Sequence, residues 1–403
     1  MQDKKKIGLL PRLIIAIIAG ILIGSFTPEH VVRAFATFNS IFGNFLGFAI
    51  PLIIVGFVAP GIGDLGSNAG KILGMTVAIA YGSTIFAGTL AFFVDSTFFP
   101  QLLKIGAMTS NAAAHGNPEE ALLAPFFKVE MPPIMGVMTA LLMAFTLGIG
   151  MAAINGTKLN EVMHEFQRII EKLISSIIIP LLPLHICGIF ANMTYAGEVQ
   201  TIMSVFIKVY AVIIALHIGM ILIQYVIAGS IAGVNPFLAI KNMLPAYFTA
   251  IGTQSSAATI PVTLGQTKIN GVREDVADFV VPLCATIHLS GSTITLTSCA
   301  MAVMMLHGMN VSFATIFPFV MMLGICMVAA PGVPGGAVMA ALGVLESMLH
   351  FSPTMLSLMI ALYLAQDSFG TACNVTGDGA IALLVNKLTG KTTTTHTTGS
   401  NTA

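Results

Sequence analysis

The sequence predicts an all-α membrane protein of eight transmembrane helices plus two re-entrant helical hairpins. Three observations carry this. Of 403 residues, 56% are hydrophobic and only 8% are charged, whereas a soluble domain carries charge on about a quarter of its residues. Apolar runs long enough to cross roughly 30 Å of hydrocarbon recur as far as residue 232. Beyond residue 235 the apolar segments shorten and are broken by Ser, Thr, Gly and Pro, twice in the same layout.

The first element, IGLLPRLIIAIIAGILIGSF, follows Lys4, Lys5 and Lys6. It lacks a small-residue cleavage site and many similar segments follow, so it reads as a retained helix with a cytoplasmic N-terminus. The ordinary spans fall near 8–27, 39–62, 71–96, 132–155, 168–195 and 201–232. Lys71, then Lys158, Arg168 and Lys172, then Lys241 all fall on the side of the N-terminal lysines. The loop 97–131, with Glu119, Glu120 and Glu130, is expected outside, and the threonine-rich tail is a low-complexity segment with no assigned structure.

The formal net charge is zero, so neither nucleic acid nor a basic partner is indicated. Cys187, Cys284, Cys299, Cys326 and Cys373 lie in apolar runs without CxxC spacing and read as small hydrophobes. The 24 methionines read as lipid-facing or core filler, and His185 and His217 as packing residues.

The two interruptions share a plan. Small-residue breaks at Ser255 to Thr259 and Gly332 to Gly336 each lie near a proline, and each is followed by a polar-studded span, 279–306 and 355–388. Unsatisfied backbone in lipid costs several kcal/mol per group, so such breaks survive only against protein or a watery cavity. Paired interruptions point to the midplane site of a secondary transporter. Two kinked helices packed through small residues are the plainer alternative.

In the stretch AQDSFGTACNVTGDGA, Asp367, Thr371, Asn374 and Asp378 fall at i, i+4, i+7 and i+11, one stripe of a helix. A carboxylate at the bilayer centre costs at least about 2.5 kcal/mol, so two on one face need cations or donors waiting for them. An intramembrane aspartyl protease needs two carboxyls sharing a proton. These two stand roughly 16 Å apart along the axis, and no third acid is counted in a span. A channel would need a continuous polar pore. The stacked acids suit a substrate ammonium beside one and a hard cation beside the other, with broken-helix N-termini facing a substrate carboxylate.

The segments SSAATIP at 255–261, PLCATIHLSGS at 282–292, GVPGG at 332–336 and QDSFGTACNVTGD at 366–378 resemble the dicarboxylate/amino acid:cation symporter family, the glutamate-transporter fold, over nearly the whole chain. Its archaeal member is among the known inverted-repeat transporters. The QDS context is closest to the serine/threonine:sodium branch. The resemblance implies a homotrimer in the cell inner membrane, with both termini cytoplasmic and inverted repeats. Residues 1–70 and 97–200 would form a scaffold. Residues 71–96 and 201–388 would form a transport domain that moves as an elevator, and 389–403 a disordered tail. The substrate would meet Ser255, Ser256, Ser292, Val333, Pro334, Gly335, Gly336, Asp367, Gly370, Thr371 and Asn374. Asp367 would take its amino group, while Asn374 and the serines would take its carboxylate. Asp378 and Asn374 would ligate one sodium, Thr286 and hairpin-two carbonyls would contribute to another, and Ala285 and His288 would belong to the sodium-binding set. No bound cofactor is implied, and the chain is not expected to be an enzyme.

Two departures refine this. Dicarboxylate carriers have an arginine three residues after the substrate aspartate, and this chain has Gly370, so an acidic side chain would lack its bidentate partner. A small neutral amino acid is therefore expected, with serine, threonine or alanine favoured, although Gly370 also leaves room for a larger side chain. The family's Asn-Met-Asp-Gly-Thr pattern appears as His288, Leu289, Ser290, Gly291 and Ser292. The third ion site is thus expected to be weakened, keeping only Ser83, Thr84 and Ser290. His288 is open to three readings: a proton carrier in place of the lost ion, a neutral packing residue, or a direct contact. A sodium-coupled symporter is the reading, with a proton-coupled or sodium-independent carrier of the same fold as the alternative.

Overall fold

The computed structural model describes residues 9–65, 71–103, 122–154, 156–197, 199–327 and 335–390. Among these, helices are the only regular structure. The first half contains α1 (Leu9–Phe26), α2 (Glu29–Leu65), α3 (Lys71–Leu102), α4 (Val137–Ile154), α5 (Thr157–Leu173) and, through a π-helical turn at Ile174–Ile178, α6 (Ile179–Tyr195). It closes with α7 (Val199–Ala232). Every expected ordinary span meets a helix. The stretches Glu29–Pro60, Ile72–Leu102, Thr157–Tyr195, Phe206–Ala232 and Glu274–Leu306 are long and apolar enough to cross a bilayer, and α1 and α4 are apolar helices of 18 residues each.

Four boundaries of the ordinary spans differ from expectation by five residues or more, among them the start of α2 at Glu29 in place of 39 and of α4 at Val137 in place of 132. Helix α3 runs to Leu102, past the expected end at 96, and Thr97 Oγ1 bonds back to the Phe93 carbonyl within it. Helix α5 begins at Thr157 because TKLNEVMHEFQRIIEKL is amphipathic and buries Met163 and Ile170; hydropathy alone passes over such a helix. Helix α1 packs on α6, and α2 packs on α4, α5 and α6. The segment after residue 121 is tied to this group: Asn192 makes reciprocal bonds with Leu123 at 2.9 and 3.2 Å, and Thr37 Oγ1 accepts from the Phe126 amide.

The second half is built from short helices in pairs. Hairpin one is α8 (Pro236–Thr253) and α9 (Ser256–Ile269); a broken span follows as α10 (Glu274–Ile287) and α11 (Ser290–Leu306). Hairpin two is α12 (Phe313–Cys326) and α13 (Gly336–Leu349); a second broken span follows as α14 (Pro353–Leu364) and α15 (Asp367–Leu388). The tip of hairpin one turns on Gln254 at φ +53°. Helix α11 is buried along its whole length, and α3, α7, α10 and α15 pack around it or on one another. Hairpin one lies on α10 and α15, whereas α13 of hairpin two lies against α2 and α4.

Candidate functional site

The stripe expected on one helix is there: Asp367, Thr371, Asn374 and Asp378 are all buried on α15, at 5%, 5%, 1% and 0% exposure. Three further breaks in the helices converge on it, and each brings backbone groups that a continuous helix would have consumed.

At the break between α10 and α11, His288 and Leu289 leave helical geometry (φ, ψ of −106°, 101° and −125°, 43°). The first turn of α11 therefore carries free N–H groups, and Leu289 supplies no side-chain cap. Asn374 caps it from α15. Its Oδ1 accepts from the Gly291 and Ser292 amides at 2.8 and 3.3 Å, and its Nδ2 donates to Ser292 Oγ at 2.9 Å. The amide orientation follows from those partners.

At the tip of hairpin two, Gly335 sits at φ +76° immediately before α13, a backbone state that favours glycine. Its N–H donates to Asp367 Oδ2 at 2.6 Å. The expected substrate aspartate is thus joined to the expected gate, and Gly336 opens α13 beside it. Val333 and Pro334 lie outside the described residues. Ser255 caps α9, its Oγ accepting from the Ala258 amide at 3.2 Å, and buried Ser256 is the first residue of α9. Hairpin one reaches α15 where Ala250 of α8 packs with Ala372 and Val375.

Asp378 lies one turn beyond Asn374. His288 Nδ1 stands 2.9 Å from its Oδ1, and Oδ2 has no partner among the described residues. On the far side of the ring, Nε2 lies 3.1 Å from Ser83 Oγ and 3.2 Å from Gln224 Nε2. Gln224 also donates to Ser83 Oγ at 3.0 Å and Ser290 Oγ at 3.3 Å, while its own Oε1 is buried without a partner. Ser83, Ser290 and His288 are therefore one network with Asp378. Thr84 is buried beside Ser83, its hydroxyl donating to the Ala80 carbonyl. Ala285 is buried on α10, and Thr286 is exposed there, with its hydroxyl on the Leu283 carbonyl; the hydrogen bonds of the Asp378 network do not include them.

Three expectations need correction. His217 is more than packing: its Nε2 lies 3.0 Å from the Gly291 carbonyl and 3.1 Å from Thr295 Oγ1, at the turn Asn374 caps. The room expected beside Gly370 is limited. A Cβ there would stand 3.4 Å from Thr295 Oγ1 and 3.6 Å from the Gly291 backbone, so a methyl fits and α11 stands next. And a third acid does lie in a span: Asp95 on α3 is fully buried. It forms no protease dyad, since neither of its oxygens has a hydrogen-bond partner among the described residues. Sequence reasoning missed Gln224 and Tyr225, the latter donating to the Thr376 carbonyl at 2.9 Å. A signal was available, for His217 and Gln224 stand at i and i+7 on one face of the otherwise apolar α7.

Chemically, the arrangement offers two carboxylates at different depths, free oxygens at Asp378 and Gln224, and helix N-termini facing inward. A family model described as the sodium:dicarboxylate symporter family matches residues 9–388. The chain belongs to this family. Relatives include a serine/threonine transporter SstT from Streptococcus thermophilus, 26% identical over 82% of this chain and 83% of the relative. Another, of the same name, from Bifidobacterium adolescentis is 28% identical over 81% of this chain and 77% of the relative. This member of the family is therefore a multi-pass membrane transporter and not an enzyme.

Proposed function

We propose that the chain is a sodium-coupled symporter of small neutral amino acids, serine, threonine or alanine, working by an elevator movement in the cell inner membrane. The observation that carries this is the buried column on α15. It sets Asp367 at the tip of hairpin two and leaves Asp378 with an oxygen free for a cation. Asp378 Oδ2 and Gln224 Oε1 are the buried oxygens fitted to receive sodium, and Asp378 supplies the negative charge. By family resemblance Asn374 joins Asp378 at this ion, Thr286 serves another sodium, and Ala285 and His288 belong to the sodium-binding set.

In this reading α3 and α7–α15 travel together past a scaffold of α1, α2 and α4–α6, the scaffold mediating a homotrimer. Hairpin two resting on α2 and α4, with hairpin one on the travelling half, suits a conformation that opens on the hairpin-one side. The names of the relatives, with glycine at position 370, support a neutral substrate. Each sodium adds about 2.3 kcal/mol per 100 mV of membrane potential to the driving force.

A second reading has one observation in its favour: His288 touches Asp378 directly, so a proton there could replace an ion. Uptake of a panel of labelled amino acids into proteoliposomes, with sodium and pH gradients imposed separately, decides between them. Serine uptake driven by sodium alone is expected. Uptake driven by a pH gradient without sodium would select the second reading, and aspartate uptake above serine would remove the substrate assignment.

A further inference from the structure

The site on α15 makes no use of Asp95. This residue lies on the buried stripe of α3, between Ala91 and Phe99 and beside Phe92, and is 0% exposed. It stands twelve residues beyond Ser83, roughly 18 Å along the axis, so the network around Asp378 does not reach it. Helix α11 packs on α3 and brings Ser298 beside the carboxylate, and Asp95 Oδ1, Asp95 Oδ2 and Ser298 Oγ are all buried without a hydrogen-bond partner among the described residues.

We propose that Asp95 and Ser298 form a second site for a monovalent cation, apart from Asp378, and that this cation is a proton. A bare carboxylate in an apolar seam costs several kcal/mol unless it is paired and hydrogen-bonded. The groups able to offset it are few. Helix α11 presents Cys299 next to Ser298; α7 presents Tyr210, which faces Cys299, and Lys208, whose Nζ is taken up by the Leu102 carbonyl at 2.8 Å. Helix α12 brings Phe313 against Phe92 and Phe93, and α10 and α15 present His288, Cys284, Asp367 and Asp378 nearer the ion network. No ion pair is formed by Asp95 among the described residues.

The chemistry of the surroundings chooses between cations. Sodium needs a shell of several oxygens, whereas the side-chain oxygen that α11 brings to Asp95 is the Ser298 hydroxyl, and the neighbours of Asp95 along the buried stripe of α3, Ala91, Phe92 and Phe99, are apolar. One proton on the carboxyl satisfies the pair: the acid O–H donates to Ser298 Oγ, and the Ser298 O–H stays free to donate in turn. The seam of α3 on α11 also positions Ser83 and the first turn of α11, so this proton is a ligand on which the assembly of the transport site depends.

The test is infrared difference spectroscopy on the full-length protein in liposomes at neutral pH, wild type against Asp95→Asn, with and without sodium. The expected result is a protonated-carboxyl carbonyl band that Asp95→Asn removes and that sodium leaves unchanged. Ser298→Ala, which retains the acid, is expected to keep the band and shift it to higher frequency as the hydrogen bond is lost. Absence of any band that Asp95→Asn removes would overturn the site, and so would a band untouched by Ser298→Ala. A band that appears only when sodium is withdrawn would make sodium the ligand and overturn the proton assignment.

Discussion

His288 donates to Asp378. Gln224 Nε2 can only donate, and it lies 3.2 Å from His288 Nε2, so Nε2 is the acceptor and the ring proton sits on Nδ1, 2.9 Å from Asp378 Oδ1. One carboxylate oxygen is thereby fixed by a neutral ring and the other, Oδ2, is left without a partner among the described residues. Asp378→Asn keeps the size and loses the charge. Sodium dependence of uptake is expected to shift to at least about tenfold higher concentration, which corresponds to about 1.4 kcal/mol. An unchanged sodium titration would remove Asp378 from the ion site.

Asn374 caps α11 across the helix interface, and this role separates from substrate binding by substitution. Asn374→Ala strands the Gly291 and Ser292 amides and is expected to cost about 1–3 kcal/mol of stability along with transport. Asn374→Asp still accepts from both amides, and a negative charge suits a helix N-terminus. It is expected to recover thermal stability while repelling the substrate carboxylate, so uptake stays lost. Thermal unfolding and uptake measured on both variants check this; equal loss of stability in the two would reject the cap.

The column on α15 was legible in the sequence because its spacing is a property of one helix: Asp367, Thr371, Asn374 and Asp378 share a face however the rest folds. The hairpins were legible in part: Ser255 and Gly335 stand at the two tips, whereas Ser256 to Thr259 and Pro261 of the first expected break lie inside α9. The break at His288–Leu289 has neither Gly nor Pro at its two positions, and only the cap from Asn374, 83 residues from Gly291, shows what stabilises it. His217 and Gln224 carried a local signal, two polar residues on one face of α7, but their target lies on another helix and sequence spacing does not supply it. Asp95 lay within the expected span 71–96, one residue from its end, and its burial became visible only once α3 proved to continue to Leu102.

The proposed substrate rests on what Gly370 lacks and on where α11 stands. Serine and threonine are expected to compete with labelled serine uptake, and aspartate is not. Gly370→Arg alone is not expected to create aspartate uptake, because the side chain meets Thr295 and the Gly291 turn within 3.4–3.6 Å of its Cβ. Destabilisation of about 1–3 kcal/mol from overpacking is expected instead. Efficient aspartate uptake by this single variant would refute the crowding.

Gly377 lets the network close on α15. A Cβ there would stand 2.6 Å from Gln224 Oε1 and 2.7 Å from His288 Cε1, so Gly377→Ala must displace both partners of the Asp378 side of the site. Sodium affinity is expected to fall several-fold with a stability loss of about 1–3 kcal/mol. Gln224→Ala combined with Gly377→Ala relieves half of the clash and is expected to regain stability without regaining sodium affinity. A double variant no more stable than the single one would count against this geometry.

Asn39, His185 and Ser357 tie α2 and α6 to α14, across the two halves that are proposed to slide. In the amide orientation that pairs every atom, Asn39 donates to His185 Nδ1 at 3.1 Å and to the His185 carbonyl at 3.2 Å, and accepts from the Ile189 amide at 2.9 Å. It thus enters the backbone ladder of α6, at a point where the Cβ that Gly188 lacks would stand 2.7 Å from the amide. With Nδ1 accepting, His185 Nε2 carries the proton and faces Ser357 Oγ at 3.3 Å, while Ser357 donates to the Pro353 carbonyl at 2.8 Å. His185→Ala removes a buried ring and orphans Asn39, so a loss of about 2–4 kcal/mol in thermal stability is expected. Ser357→Ala leaves α6 intact and removes one contact between the halves, that with His185, together with the bond to the Pro353 carbonyl. It is expected to change stability by less than about 1 kcal/mol and to speed exchange between conformations, read by single-molecule fluorescence between labels on α2 and hairpin two. Exchange at the wild-type rate in Ser357→Ala would show that this contact does not restrain the movement.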